Sequence, residues 1–451
     1  MNIQRFNQEQ LRLVMTFDNG KEYECSTVNQ GDKVLETCVI NESECNTHGN
    51  PLGIMSSNSI NFTIYDNNGL LIKTNTKSPY FGFMRNGVEC RLYWVDNSGE
   101  SHPFGVYYTN GWDNTRADGG FQSVSISAQD RLNYIGNLNI PELPAFSSIE
   151  IKDLLIEIFK AIGLSESEYY IDPSLNLTLT FSVTRGAKLR DTLNAIAQAL
   201  IARVTIDRHG VICIRPAFPE IPAELDTIDD SSITSGTLKQ NQYTDYATVQ
   251  LSFYELGIQN SVTLATVNNV NVNSGENVFN NIQLSNKVQG IDLVTYEFPV
   301  TSENYDKAIS DIKYTGYQGG VSVDVLSELT EVVNGTLVVE GRETGDSEVV
   351  LSKEILSADR KVSNTLMLSS AYIQNRKQAT QYLNDVVDYI NKIRNSGKFD
   401  QSLLGYMLET GKYYEMQSDN SEIAGVYYVT DITFRVGETL SSSFNTIKFE
   451  R

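Results

Sequence analysis

Histidine is almost missing from this 451-residue chain, which holds three: His48, His102 and His209. Nucleophilic cysteine chemistry needs a positioned imidazole. His102 precedes Pro103 in what reads as a loop, and His209 reads as the tip of a hairpin turn, so neither is well placed. Cysteine is scarce and odd in number: Cys25, Cys38, Cys45, Cys90 and Cys213. That count excludes a fully paired disulfide framework, and with no export signal it implies free thiols. Long apolar runs are absent too. No stretch approaches the ~18–20 residues of a membrane-spanning helix, and the polar N-terminus MNIQRFNQEQLRLVMTFDNG lacks the apolar core of a secretion signal. The expectation is a soluble chain without stable membrane insertion.

Positive charge is also short. Thirty-five Lys and Arg stand against 56 Asp and Glu, giving −21 and a pI near 4.6. Such a surface repels phosphate backbones, so specific nucleic-acid binding is not expected. The acid is scattered, as on a solvated surface. Tryptophan occurs twice against 24 Tyr and 18 Phe, a balance suited to pleated sheets.

Phosphate-loop, nucleophile-elbow, zinc-helix, paired C-x-x-C and EF-hand signatures are all lacking. Cys45-x-x-His48 with Cys38 has a feasible zinc spacing, but no fourth ligand lies nearby and CVINESECNTHGN reads as a polar loop. Cys213, in the alternating run VICIR, reads as a small buried hydrophobe. No catalytic residue, metal or cofactor is expected.

What is present is β-pattern. Residues 1–140 alternate in short runs broken by turn signals such as Asp18-Asn19-Gly20 and Asp66-Asn67-Asn68-Gly69, the pattern of a first β-barrel domain. Over 145–217 the period changes. Ser147 or Ser148 is placed to cap a helix with Ile151, Leu154, Leu155, Ile158 and Ile162 on one face. A strand, a helix bearing Leu189, Leu193, Ile196, Ala197 and Leu200, and a hairpin turning at Arg208-His209-Gly210 complete an α-β-α-β-β order. β pattern returns over 225–451, a second β-barrel domain. Within it, 303–317 reads as a helix, 264–290 as an Asn-rich loop, and about 369–393 as one long helix ended by Asn395-Ser396-Gly397. The fold class expected is mainly β: two related barrels, a small α+β domain between them, and one long helix near the C-terminus.

The barrels look related because Gly105-Val106-Tyr107-Tyr108 returns as Gly425-Val426-Tyr427-Tyr428. Laid in step, Val124-Ser125-Ile126-Ser127 falls over Phe444-Asn445-Thr446-Ile447. Alternation puts one tyrosine of each pair in the core.

Three segments carry a resemblance: GVYYTNGW with FQSVSISAQDRLNYI, GAKLRDTLNAIAQALIARVTIDRHGVICIRP, and ADRKVSNTLMLSSAYIQNRKQATQYLNDVVDYI followed by YYVTDITF. In order and spacing the chain resembles the baseplate hub proteins of tailed phages and phage-like contractile particles, and the N-terminal part of tail-associated proteins. The resemblance implies a non-enzymatic structural protein of the virion tail tip, assembled in the bacterial host cytoplasm. It implies a homotrimer whose six barrels adapt a six-fold tail tube to a three-fold tip. The tube or a distal tail protein would lie on one face, and a spike or tail-tip protein on the other. The Tyr-rich strands leave a carbohydrate- or receptor-binding tail protein as the alternative. A hydrolase would need paired carboxylates facing a cleft, and nothing singles any out.

Overall fold

The computed structural model describes residues 11–449 apart from 28–32, 45–51, 97, 117–121, 142, 144–145, 183–186, 241–245, 285–287, 298–308, 318–319, 329–331, 356–363, 402–407, 421 and 438–439. The first strands are β1 (Leu11–Thr16), β2 (Glu22–Ser26), β3 (Lys33–Ser43), β4 (Ile54–Met55), β5 (Ser59–Asp66), β6 (Glu89–Val95), β7 (Ser101–Arg116) and β8 (Gln122–Asp130). Their alternation decides which face is buried: β5 turns Ile60, Phe62 and Ile64 inward, and β6 turns Cys90, Leu92 and Trp94 inward. Gly20 makes the β1–β2 turn at φ 75°, where a side chain would be strained. Seven strands pair in the order β3-β2-β1-β6-β7-β8-β5, and β5 pairs back to β3, closing a barrel. Closure gives every strand of the ring a neighbour on both sides for at least part of its length. His102 lies in β7 rather than in a loop.

Helix α1 (Arg131–Ile135) follows, capped by Asp130, whose carboxylate accepts from Asn133 N. The middle unit contains β9 (Phe146–Glu150), α2 (Ile151–Ala161), β10 (Tyr169–Ile171), β11 (Thr178–Ser182), α3 (Leu189–Leu200), β12 (Ala202–Ile206) and β13 (Ile212–Pro216). Helix α2 starts at Ile151 with Glu150 at its cap, not at Ser147 or Ser148, because Phe146–Glu150 is held extended by β11. The helical faces are those of the periodicity: Leu154, Leu155 and Ile158 meet Leu189, Leu193 and Ile196 in one core. Short β4 leaves the barrel to pair in parallel with β12, in a sheet ordered β10-β13-β12-β4.

The C-terminal part begins with β14 (Asp226–Asp229) and β15 (Ile233–Gln240). A separate pair of sheets follows: β16 (Tyr246–Val272), β17 (Gly275–Gln283), β18 (Val288–Glu297), β19 (Ile309–Tyr317), β20 (Gly320–Ser327), β21 (Val333–Glu354) and β22 (Asn364–Ser370). They order as β18-β21-β16-β22 and β17-β20-β19, around a core with Leu264, Val272, Val323, Leu337 and Val339. Two expectations fail here. Ile309–Tyr317 is strand, not helix, because its β-branched and aromatic residues pair along β20; 303–308 lie outside the described residues. Much of 264–290 is strand, not loop. Gly275 turns at φ 91°, and Asn277 ties the turn by accepting from Asn273 N and donating to the Asn273 and Gly275 carbonyls.

Helix α4 (Arg376–Lys392) is shorter than the pattern over 369–393. Ser369 and Ser370 still belong to β22, and Asn375 caps the helix by accepting from Gln378 N at 2.9 Å. Asn395-Ser396-Gly397 does not end it, since those residues lie inside β23 (Ile393–Gln401). The chain closes with β24 (Tyr413–Gln417), β25 (Gly425–Val436) and β26 (Leu440–Phe449). These strands order as β14-β24-β25-β26-β23-β15, and β25 also pairs with β3. One core therefore runs from Leu13 and Tyr23 through to Tyr427, Phe434 and Phe444. The fold is mainly β with an α+β insertion.

Candidate assembly site

The repeated glycines occupy matching positions in matching pairings. Gly105 pairs with Leu92, and Tyr107 with Cys90 on one side and Asp130 on the other. Gly425 pairs with Met416, and Tyr427 with Tyr414 and Lys448. Both glycines have unusual positive φ, 143° and 146°. The likeness extends beyond the motif. Strands β3-β5-β8-β7-β6 pair in the same order as β15-β23-β26-β25-β24. Each set has a bulge at the same two places: Glu36 is skipped in β3 and Thr234 in β15, Asn110 in β7 and Thr430 in β25. Bulges fix register, so agreement of both is a stronger likeness than four shared residues.

One detail differs from the sequence alignment. Phe444 pairs across from Ile432 as Ile126 pairs across from Trp112, so Ile126 corresponds to Phe444, two residues from the position that in-step alignment gives. The segment between β25 and β26 is shorter than that between β7 and β8, which moves the second strand along without turning its faces. The tyrosines differ as well. Tyr107 and Tyr427 sit in the shared core, and Tyr108 is half-buried against Tyr134. Tyr428 is fully buried in a second core, so both tyrosines of the second motif are interior. The outer face of β25 is covered by Tyr413, Phe449 and Phe218, with Phe218 stacked on Tyr389 of α4.

The three parts of the chain meet at a buried charge junction. β3 carries Glu42, with Glu44 just beyond it, while Arg203 lies on β12 and Arg208 in the β12–β13 turn. Arg208 donates to both Glu42 oxygens, at 2.8 and 2.9 Å, and to the Leu408 carbonyl at 2.7 Å. Arg203 forms an ion pair with Glu44 at 2.9 Å, with Nε off the hydrogen-bonding axis, and donates to the Gly411 carbonyl at 3.1 Å. Each arginine thus links the middle unit to both strand sets. Burial pushes the Glu44 carboxyl up, against the pull of Arg203. Gly411, at φ 75°, leaves room for the pair: a Cβ there would lie 2.7 Å from Glu44 Oε1. The Arg208 turn is fixed by Asp207, whose carboxylate accepts from His209 N and Val211 N. None of these residues was singled out by sequence for binding, because their partners lie far away along the chain and follow no local spacing.

The remaining candidates carry less. Cys38 is buried in β3, and burial pushes its thiol far up; Cys45 and His48 lie outside the described residues. Cys213 is buried in β13, its thiol raised by burial to about 11. Asp96, Glu100 and His102 bring ligand atoms within 4.8 Å, but Asp96 already accepts from Ser98, Glu100 N and His102. A cleft of about 1010 Å³ lies between the Pro216–Pro222 segment and α4, floored by Phe218 and Tyr389 and edged by Asp385 and Asp388. It presents no catalytic constellation.

No family model matches this chain, and no curated protein matches it. Solved structures do. A tail protein from Neisseria meningitidis MC58 superposes at TM-score 0.54 and 9% identity, over 97% of this chain and 96% of that one. The 43 kDa tail protein of prophage MuSo2 from Shewanella oneidensis superposes at 0.53 and 9%, over 98% of both chains. The class is therefore defined by fold: this chain has the fold of phage tail proteins along nearly its whole length.

Proposed function

We propose that the chain is a structural tail protein, and specifically the hub at the tip of a phage or phage-like tail, with no enzymatic role. In this reading it is a homotrimer. The strand sets β3-β5-β8-β7-β6 and β15-β23-β26-β25-β24 are two copies of one unit, so three chains present six similar units to a six-fold tube and three-fold symmetry to a spike or tip. The observation that carries the reading is the shared pairing order with bulges at the same two places. The middle unit, 145–217, and the two sheets of 246–370 hang on this frame as additions. The buried junction ties the middle unit to both strand sets, because parting its charge pairs would leave buried charge uncompensated. Among the described residues no helix is long and apolar enough to cross a membrane.

The test is mass by light scattering together with class averages of the purified protein seen down its axis. A trimeric mass and a six-lobed ring are expected. A chain that stays monomeric at high concentration defeats the proposal.

A further inference from the structure

β15 ends the long sheet, and among the described residues it pairs with β23 alone. The outer half of β7 is also paired on one side only. β6 and the Gly87–Val88 backbone just before it run along it as far as Thr109, and beyond that, among the described residues, only β8 accompanies it. Each half-open edge has a counterpart in the other strand set: β3 corresponds to β15, and β25 to β7. Those two counterparts are already joined, antiparallel, from Asp431↔Ser43 to Val436↔Cys38. The chain thus contains one completed junction between strand sets and both halves of a second.

We propose that copies of this chain associate head to tail by strand addition, β7 of one subunit pairing with β15 of the next in the register that β25 and β3 use within the chain. This deepens the trimeric reading above and rests on it. The register transfers residue by residue. Phe434↔Ile40 becomes Asn114 with the partner subunit's Leu238, and Arg435↔Val39 becomes Thr115 with the partner subunit's Thr237. Thr433↔Asn41, whose side chains share a 2.9 Å hydrogen bond in the chain, becomes Asp113 with the partner subunit's Lys239. Both are exposed in the single chain, and they carry opposite charge. Nothing in the fold of one chain requires that complementarity; an interface in this register does, since cross-strand neighbours with opposite charge favour pairing. The facing parity also agrees. Trp112 and Leu238 turn inward beside Asp113 and Lys239, as Ile432 and Ile40 do beside Thr433 and Asn41. A junction that repeats the internal one is heterologous, and it closes into a ring when the rotation between strand sets divides a full turn. Closure would also cover two edges that otherwise template uncontrolled pairing.

The test is the double variant Asp113→Cys/Lys239→Cys in the full chain, oxidised and run on a non-reducing gel. Covalent dimers and trimers are expected, with neither single variant giving them. Independently, Asp113→Lys should weaken association roughly two- to fivefold per interface, and Asp113→Lys/Lys239→Asp should restore it. If light scattering shows a trimer while the double cysteine variant gives no cross-link and Asp113→Lys has no effect, the register is wrong and the trimeric reading stands. A monomeric wild-type chain removes both.

Discussion

Arg208 grips Glu42 through two parallel hydrogen bonds, 2.8 Å from Nε and 2.9 Å from Nη2, across 166 residues of sequence. Glu42 is 4% exposed, so the pair stands largely out of water. Removing one partner leaves the other charge buried and uncompensated. Arg208→Ala or Glu42→Ala should each cost about 3–5 kcal/mol in urea unfolding. The apolar double substitution Glu42→Leu/Arg208→Leu should cost clearly less than the two singles together. Additive losses would show that the pair does not act as a unit.

Gly105 and Gly425 share a backbone conformation but not their surroundings. An added Cβ at Gly105 would lie 2.4 Å from Cε2 of the buried Tyr107 ring, whereas at Gly425 it meets the flexible Lys448 side chain at 2.8 Å. Both alanine variants carry backbone strain of about 1–3 kcal/mol. Gly105→Ala should lose more, because a packed ring has nowhere to go. Equal shifts in melting temperature would contradict this.

Asp130 gives a pH signature. Burial pushes its carboxyl up to about 7, despite backbone donors from Asn58, Asn133 and Leu132. A folded-state value above the unfolded one means that the native state binds the extra proton. Stability is then fully present below about pH 4 and falls as pH rises through about 7. The slope is roughly 1.4 kcal/mol per pH unit inside that window. Asp130→Asn keeps a cap for α1 and should flatten the slope. An unchanged slope in that variant assigns the titration elsewhere.

The two tyrosines of the second motif should respond in opposite ways. The Tyr427 hydroxyl donates to the Ile423 carbonyl at 2.6 Å, so Tyr427→Phe should cost about 0.5–1.5 kcal/mol. The Tyr428 hydroxyl is buried without a hydrogen-bond partner among the described residues. Tyr428→Phe should therefore be neutral or stabilising by about 1 kcal/mol. Chemical unfolding of the two variants side by side decides it.

The sequence by itself determined everything that depends on neighbours in the chain. Period-two alternation set the inward faces of β5 and β6, and helical spacing set the buried faces of α2 and α3. Turn chemistry placed the bends at Gly20 and Gly210. It also supplied the two Gly-Val-Tyr-Tyr copies, because a strand position needing φ near 145° keeps its glycine. Only the tertiary structure decided the rest. Pairing with β20 made Ile309–Tyr317 a strand, a shorter connection moved β26 along β25, and packing on the outer face of β25 buried Tyr428. The junction of Glu42, Glu44, Arg203 and Arg208 has no local trace. Its geometry exists only once β3, β12 and the Leu408–Gly411 backbone are brought together, and burial is what gives those charges their strength.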